Sequence, residues 1–351
     1  IDGKRLIAEK TNANYQQEFT KLFMALQANP NHMEWMELYK KLVFWELELE
    51  KSNTYEMTEI LASQKTEANR EFCKYVSKNY LDWFGEDEDK PLLSHNLFKE
   101  RVFDLLKEDK PTYFILIDNL RYDQWKMLEP SLLDNFKVQN EEMFYSILPT
   151  ATQYARNAFF AGIMPLEISK KYPNYWKSEE DEGGKNSFEK ELLESNLNRL
   201  GRDIKWSYNK ITNLDAGKKL ADNFNQLLEN KLNVIVYNFV DMLSHARTEM
   251  EVIRELADNE TAYRSLTTSW FEHSALHEIV KKIAESGRKL IITTDHGTVR
   301  VQNPVKVVGD KNTSTNLRYK CGRNLNYNQK EVYDRAYYHF NTAAGIFENL
   351  Q

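Results

Sequence analysis

The sequence predicts an α/β protein in two parts: an N-terminal α-helical bundle and a larger domain built on a mostly parallel sheet. Two observations support this fold class. Between about residues 14 and 107, apolar residues recur three and four positions apart, which is the period of an amphipathic helix. After Pro111, short apolar and β-branched runs alternate with helical segments, as in a parallel sheet covered by helices on both faces.

The N-terminal region contains three long amphipathic runs. They read YQQEFTKLFMAL, HMEWMELYKKLVFWELELEK and MTEILASQKTEANREFCKYVSKNYLDWF. Because only short polar breaks separate them, they predict three or four antiparallel helices. An acidic linker, GEDEDKP, and a connecting helix, LSHNLFKERVFDLLKE, follow. We therefore assign residues 1–107 to a helical bundle and residues 111–351 to the α/β domain.

Five short apolar runs in the second part predict strands. They occupy residues 112–118, 143–148, 203–208, 232–240 and 288–294. Helical segments such as RYDQWKMLEPSLLDN, SFEKELLESNLNRL and AYRSLTTSWFEHSALHEIVKKIAES lie between them. The alternation of strand and helix predicts parallel pairing. No glycine-rich phosphate loop interrupts the pattern.

Charge and composition restrict the function. The formal net charge of −6 disfavours a general nucleic-acid coat, so an anionic substrate would require a local positive site such as metal ions. No apolar run is long enough to span a bilayer, and the two cysteines are too far apart for a disulfide framework. We therefore expect a cytoplasmic protein without membrane insertion. Because the chain begins IDGKRLIAEK, without an initiating Met, we expect it to be part of a longer polypeptide.

Acidic and imidazole residues follow three of the predicted strands. Asp118 ends the first run, Asp241 follows the fourth with His245 four residues later, and Asp295-His296 follows the fifth. In open parallel sheets the reactive crevice lies outside the carboxyl ends of the strands. The spacing of Asp241 and His245 places both on one face of a helical turn.

Each of these residues alone has an ordinary structural interpretation. A single Asp after a strand usually forms a turn or caps a helix, and a lone His usually packs or lies on the surface. Their joint occurrence, in a chain with only seven histidines, favours a metal site. Mixed carboxylate and imidazole ligands suit zinc or manganese better than calcium or magnesium.

A threonine pair precedes one predicted helix. In SILPTATQYARNAFFAG, Thr150 and Thr152 follow Pro149, and a helix is predicted from about Gln153. Such a hydroxyl either caps the helix or attacks phosphorus beside a metal, where the helix N-terminus favours phosphate. Without the other motifs, these residues favour the helix cap.

Taken in chain order, these motifs resemble the alkaline phosphatase superfamily of two-metal hydrolases. LIDNLRYDQW and LPTATQYARNAFFAGIMP are more similar to its PglZ branch. The resemblance implies a three-layer α/β/α domain with two zinc sites. It implies that Asp118, Asp295 and His296 hold one zinc with Thr152 bound to it as the nucleophile, and that the second zinc is held by Asp241 and His245.

The resemblance also implies a reaction. Thr152 would attack a phosphodiester and form a nucleotidyl-threonine, which water then hydrolyses. Thr152 is preferred to Thr150 because related phosphodiesterases use the second hydroxyl of a similar Pro-Thr-x-Thr turn. One departure concerns the second metal: the His-Gly-Gly stretch that supplies its third ligand in PglZ domains is absent, and the tail holds only His339. Two interpretations stay open: either the sequence is altered or truncated at its end, or the second of the two expected zinc sites is incomplete.

The helical part is similar to the linker of PorX-type response regulators, which are associated with type IX secretion. In that family a receiver domain precedes the helices. The resemblance implies a phosphodiesterase for short linear or cyclic oligonucleotides, acting as the output of a two-component system and forming a homodimer through the bundle. The alternative is a degenerate module that binds a sigma factor or a secretion-system component. A phosphomonoesterase or a sulfatase would share the metal site.

Further candidates lie outside these motifs. Arg318, Lys320 and Arg323, interleaved with tyrosines, either bind substrate phosphates and stack bases or belong to a solvated loop, and the two interpretations carry equal weight.

Two residue pairs also need assignment. His273 and His277 have the spacing of a helical metal pair. A core or surface position on a helix is favoured, because no Glu follows the first His as in H-E-x-x-H and the segment is amphipathic. Arg121 and Asp123 lie close enough to Asp118 in sequence to support it as outer partners.

Overall fold

The computed structural model describes residues 2–52, 55–85, 89–107, 110–178, 181–300, 305–311, 313, 319–320 and 325–328. Contacts divide the chain into two compact units, Ile1–Pro91 and Leu92–Gln351. None of the helices in the described parts is long and apolar enough to cross a bilayer.

The first unit is helical, as predicted. Its helices are α1 (Asp2–Gln27), α2 (His32–Ser52) and α3 (Tyr55–Asn79). Asn31 starts α2, because its side-chain oxygen accepts the backbone N–H groups of Met33 and Glu34 at 2.9 and 3.0 Å. Tyr15 and Trp45 are buried among leucines in the core between the helices. The predicted bundle is thus confirmed by its helices and its own core.

The second unit is an α/β domain with a parallel sheet. Its strands are β1 (Thr112–Ile117), β2 (Trp206–Ile211), β3 (Leu232–Tyr237) and β4 (Lys289–Thr293). Its helices are α4 (Tyr122–Leu133), α5 (Thr152–Ala161), α6 (Pro165–Lys171), α7 (Glu189–Arg199), α8 (Leu214–Asp222), α9 (Phe239–Glu249), α10 (Glu251–Leu256), α11 (Glu260–His273) and α12 (Ala275–Glu285). Within the described residues the strand order is β2-β3-β1-β4, and every pair is parallel.

The sheet is covered on both faces, which confirms the three-layer architecture. Side chains of β1 alternate: Tyr113 and Ile115 pack in one core cluster with α4, α8 and α12, while Phe114 and Leu116 pack in another with α5 and α7. β1 pairs with both β3 and β4, so its end lies beside the ends of both neighbours. The predicted residues at these strand ends therefore meet at one edge of the sheet.

Three predicted elements differ from the structure. Residues 143–148 do not form the predicted strand, and only an isolated bridge joins Tyr145 to Leu93. The N–H of Ile147 donates to the side chain of Ser94 (3.0 Å) and not to a neighbouring strand. The expected helix over 262–286 is interrupted at Ser274, whose hydroxyl caps α12.

The connecting segment is the third difference. Residues 93–108, expected as one helix, contain the short turns Ser94–Asn96, Phe98–Val102 and Leu105–Lys107. Phe98 and Phe103 within it pack in the core cluster formed by α5 and α7. The apolar spacing therefore reflects rings that are buried in this core from short turns, and not one face of a regular helix.

Truncation of a central sheet residue should destabilise the second unit. Leu116 is fully buried in β1, whereas Leu133 at the end of α4 is 51% exposed. We expect Leu116→Ala to lower the free energy of unfolding by roughly 2–5 kcal/mol, because it leaves a cavity in a close-packed core. Leu133→Ala, the same chemical change at an exposed site, should lower it by less than about 1 kcal/mol. Urea unfolding followed by circular dichroism measures both, and equal effects would contradict the described core.

Candidate metal centre and nucleophile

Three of the predicted ligands form one buried group at the carboxyl edge of the sheet. Asp118 directly follows β1, and its N–H donates to the Tyr237 carbonyl (2.8 Å), which continues the β1–β3 pairing by one residue. Asp295 and His296 follow β4, and all three side chains are buried. One potential ligand atom from each lies within 4.8 Å of the others. We call these three residues the strand-end cluster.

Thr152 lies against this cluster. Its Oγ1 is 3.0 Å from His296 Nε2 and 3.5 Å from Asp118 Oδ1. Thr152 is the first residue of α5, and the residue in the N-cap position is Ala151. The hydroxyl therefore faces the acidic and imidazole groups at a helix N-terminus, where partial positive charge favours an anion.

Arg156, which the sequence interpretation missed, lies one helical turn beyond Thr152. Its Nη1 is 2.8 Å from Asp118 Oδ2 and 3.8 Å from Asp295 Oδ2, and its Nε donates to Glu189 Oε1 (2.7 Å). The side chain is only 1% exposed. The sequence did contain an indication of this role. Arg156 follows the candidate nucleophile by four residues, so both lie on the same face of α5.

The charges in the cluster are strongly coupled. Burial raises the pKa of Asp118 well above its ordinary value, and the Asp295 and Asp241 carboxylates raise it further, although Arg156 opposes the shift. Burial disfavours the charged form of Arg156, but Glu189 and the two aspartates overcome this and raise its pKa. Within the described residues, Asp295 Oδ2 is buried without a hydrogen-bond donor. Two carboxylates, one of them with a buried oxygen that lacks a donor, and an imidazole make a donor set that fits a cation.

A polar network supports the nucleophile from β2. Glu189, beneath Arg156, accepts a hydrogen bond from Tyr208 and lies 3.2 Å from Lys210 Nζ. Lys210 also donates to the Asn186 carbonyl (2.9 Å), and the Asn186 amide donates to the Thr152 carbonyl (2.8 Å). Burial lowers the pKa of Lys210. These contacts connect the backbone of Thr152 to the sheet.

The second predicted ligand pair lies beside the cluster. His245 Nε2 is 3.5 Å from Asp241 Oδ2 on α9, with His245 exposed to solvent. Asp241 Oδ1 accepts the side-chain amide of Asn119 (3.1 Å). Glu249 Oε1 lies 3.7 Å from His245 Nδ1, but among the residues that the structure describes no acidic, histidine or cysteine residue forms a three-ligand group with this pair.

Comparison with known families agrees with this arrangement. The family model described as "BREX system PglZ alkaline phosphatase-like domain" matches residues 97–349. The chain belongs to the PglZ family. The "PorX response regulator linker domain" matches residues 5–84, so the chain has the PorX-type order of a helical linker followed by a PglZ domain. A search of curated proteins gave no match. The alkaline phosphatase-like superfamily contains phosphoesterases that are typically metal-dependent.

Arg121 and Asp123, predicted as outer partners of Asp118, form ion pairs with α11. Arg121 bonds to Asp123 (2.9 Å) and to Glu260, and Arg264 also contacts Asp123 (2.9 Å). These ion pairs tie the start of α4 to α11. Arg121 and Asp123 thus support the loop after β1 through these ion pairs.

His273 and His277 do not form a pair on one helix. They lie on α11 and α12, which are separate helices. His273 is exposed, and His277 is half-buried with its ring 5.1 Å from the ring of Phe271. Their Nδ1 atoms lie 2.8 and 3.1 Å from the Ser269 and Glu272 carbonyls. These contacts agree with a helix-surface role.

The basic segment of the PglZ domain is only partly described. Arg318, Arg323 and His339 lie outside the described residues. Lys320 is described, and the ring of the adjacent Tyr319 lies 5.8 Å from that of Tyr154 on α5. This contact brings residues 319–320 to the helix that begins with Thr152.

Replacement of Arg156 should destabilise the metal-free PglZ domain. Arg156→Met leaves the carboxylates of Asp118, Glu189 and Asp295 buried without their shared cation. We expect a loss of roughly 3–5 kcal/mol in the free energy of unfolding, because a broken buried ion pair leaves an uncompensated charge. Denaturant unfolding in chelator measures this loss.

The control is Arg101→Met. Arg101 makes a bidentate pair with Glu142, but its side chain is 45% exposed, so its removal should cost less than about 1 kcal/mol. Equal losses in the two variants would contradict a special role for the buried guanidinium.

The raised pKa of Asp118 predicts a pH dependence in chelator-treated protein. The folded state binds this proton more tightly than the unfolded state, whose Asp pKa is about 3.9. The contribution of Asp118 to stability is therefore largest below about pH 4 and decreases as the pH rises toward the folded pKa. We expect the free energy of unfolding of wild type, minus that of Asp118→Asn, to fall as the pH rises over that interval. A difference that increases with pH would contradict the prediction.

Proposed function

We propose that this PglZ domain is a zinc-dependent phosphodiesterase with Thr152 as its nucleophile. The observation that carries the proposal is the position of the Thr152 hydroxyl, at a helix N-terminus and 3.0 Å from His296 in the strand-end cluster. Adjacent groups can activate a hydroxyl, and a helix N-terminus attracts phosphate, so both features support attack at phosphorus.

The residues of the site would divide between two cations. Asp118, Asp295 and His296 would hold the first with the Thr152 hydroxyl beside it. Asp241 and His245 would contribute to the second. Zinc is the proposed metal because the donors mix oxygen and nitrogen. When bound, such ions lower the pKa of a hydroxyl and offset the charge that develops on phosphate oxygens.

The chain's own groups then define a two-step reaction. Thr152 Oγ1 attacks phosphorus, the bond to one ester oxygen breaks, and a phosphodiester to Thr152 is formed. Water then attacks the same phosphorus and releases Thr152. The N-terminal turn of α5 would bind the phosphate oxygens during both steps. The tie between Asn186 and the Thr152 carbonyl would hold the nucleophile in place.

Short linear or cyclic oligonucleotides are the proposed substrates. The net charge of −6 opposes binding of a long duplex, while a short anion could still be drawn to a cationic site. Lys320, with Arg318 and Arg323 near it in sequence, would contact further phosphates. The contact of Tyr319 with Tyr154 supports a location of this segment beside α5.

The proposed biological role rests on the linker. We propose a cytoplasmic output domain of a two-component response regulator that controls type IX secretion, with the helical unit forming a homodimer. Exposed apolar side chains on the helical unit, including Ile7, Met24 and Phe44, offer a surface for self-association. The match of residues 5–84 to a response-regulator linker supports the regulatory part of this proposal.

A second function is a binding module without turnover. Its support is the pairing of Asp118 with Arg156, which lets a protein cation take the place of a metal, and the two-residue pair of Asp241 and His245. Such a module would bind a sigma factor or a component of the secretion system.

Substitution of the nucleophile distinguishes the two. With bis-p-nitrophenyl phosphate and added zinc, Thr152→Ala should lower kcat/KM by roughly three orders of magnitude or more, because the attacking oxygen is lost. Thr150→Ala, two residues away, should keep most of the activity, and Thr152→Ser should retain a measurable part.

Equal rates for wild type and Thr152→Ala would favour the binding module. Faster hydrolysis of p-nitrophenyl phosphate or p-nitrophenyl sulfate than of the diester would replace the phosphodiesterase proposal with a monoesterase or a sulfatase.

A further inference from the structure

We infer that Trp176 and Lys177 form a nucleotide subsite beside the proposed nucleophile, in which the indole stacks on a base and the lysine contacts a phosphate. This subsite rests on the proposed function, because it recognises the bases of the short oligonucleotide that Thr152 attacks. Recognition of bases by a ring does not depend on the number of cations that the chain binds.

The subsite lies directly against the start of α5. The side chain of Gln153, the residue after Thr152, donates to the Lys177 carbonyl (2.8 Å). The Trp176 ring lies 5.9 Å from the ring of Tyr154, the next residue of the helix. Both contacts are thus made by the two residues that follow the nucleophile. A substrate phosphate at the Thr152 hydroxyl therefore has this segment as a neighbour.

A second aromatic ring meets Tyr154 at the same place. The Tyr154 side chain is buried, and its ring contacts that of Tyr319 (5.8 Å) as well as that of Trp176. Tyr319 is followed by Lys320, just as Trp176 is followed by Lys177. Aromatic rings beside basic groups are typical of surfaces that bind single strands, because the rings stack on bases and the cations bind the backbone. Two such pairs, distant in sequence, converge beside the nucleophile.

The exposure and bonding of the two side chains suit a ligand. Trp176 and Lys177 are both half-buried, and the indole packs against the core cluster of α5 and α7. A ring that packing already holds loses little conformational freedom when a base stacks on it. Lys177 Nζ donates to the Glu182 carbonyl (2.9 Å), a neutral acceptor that an anionic phosphate oxygen can replace.

Trp206 provides the matched control for Trp176. It is also half-buried and packs against the same core cluster. It is the first residue of β2, so it lies at the amino end of the parallel strands, whereas the strand-end cluster lies at their carboxyl end. Replacement by leucine at either position keeps an apolar side chain and removes the aromatic ring. Trp176→Phe keeps a smaller ring at the subsite.

The test is isothermal titration with two tetranucleotides in the presence of zinc. The protein is the 351-residue chain with Thr152→Ala, so that binding is not followed by hydrolysis. One ligand is tetrathymidylate, and the other has the same sugar-phosphate backbone without bases. The ratio of the two dissociation constants separates recognition of bases from attraction of phosphates, and a general loss of fold would weaken both ligands.

We expect tetrathymidylate to bind roughly 5- to 150-fold more tightly than the base-free ligand, which is the range for one stacked base. Trp176→Leu should remove most of this preference, Trp176→Phe should keep part of it, and Trp206→Leu should keep all of it. Lys177→Met should weaken both ligands to a similar extent, because a phosphate contact carries no information about the base.

Three results would overturn the subsite alone: equal binding of the two ligands, a preference for bases that survives Trp176→Leu, or the same loss of preference in Trp206→Leu. Unchanged binding of both ligands in Lys177→Met would overturn the phosphate contact. A chain that binds neither ligand would overturn the subsite and the oligonucleotide substrate together. Hydrolysis of bis-p-nitrophenyl phosphate by wild type would in that case still support the phosphodiesterase proposal.

Discussion

The burial of several carboxylates around one arginine is the constraint on which the site depends. Asp118, Asp295 and Glu189 all lie near the Arg156 guanidinium, and all four side chains are at most 2% exposed. Lys210 also pairs with Glu189, but Asp118 and Asp295 share the single Arg156 guanidinium, and Asp295 retains a buried oxygen without a donor among the described residues. Buried charge is tolerated when it is paired or coordinates a metal. Burial and the excess of negative charge therefore explain both the raised pKa of Asp118 and the fit of the cluster to a cation.

The fold creates this imbalance through its topology. Because β1 lies between β3 and β4 and all three run parallel, the residues that follow them converge at one edge of the sheet. Helix α5 then delivers two groups from a single face: the Thr152 hydroxyl at its first position and the Arg156 guanidinium one turn later. The nucleophile and the buried counter-charge are thus held by the same rigid element.

The parts of this arrangement that sequence could predict are those with a local pattern. Apolar β-branched runs located the four strands, and their polar ends identified Asp118, Asp295 and His296. The run at 143–148 has the same composition, yet hydrogen bonds to side chains such as Ser94 replace strand pairing there. Arg156 and Asn119 contact residues that are distant in the sequence, so local spacing offered only a weak indication of these contacts.

A zinc-soaked crystal structure tests the central claim most directly, since the anomalous signal locates the metal without reference to activity. The account predicts an ion about 2.0–2.2 Å from oxygens of Asp118 and Asp295 and from a nitrogen of His296. The Thr152 hydroxyl should lie beside that ion. A crystal grown with excess zinc that shows no ion among these residues, with Asp118 still paired to Arg156, would contradict it.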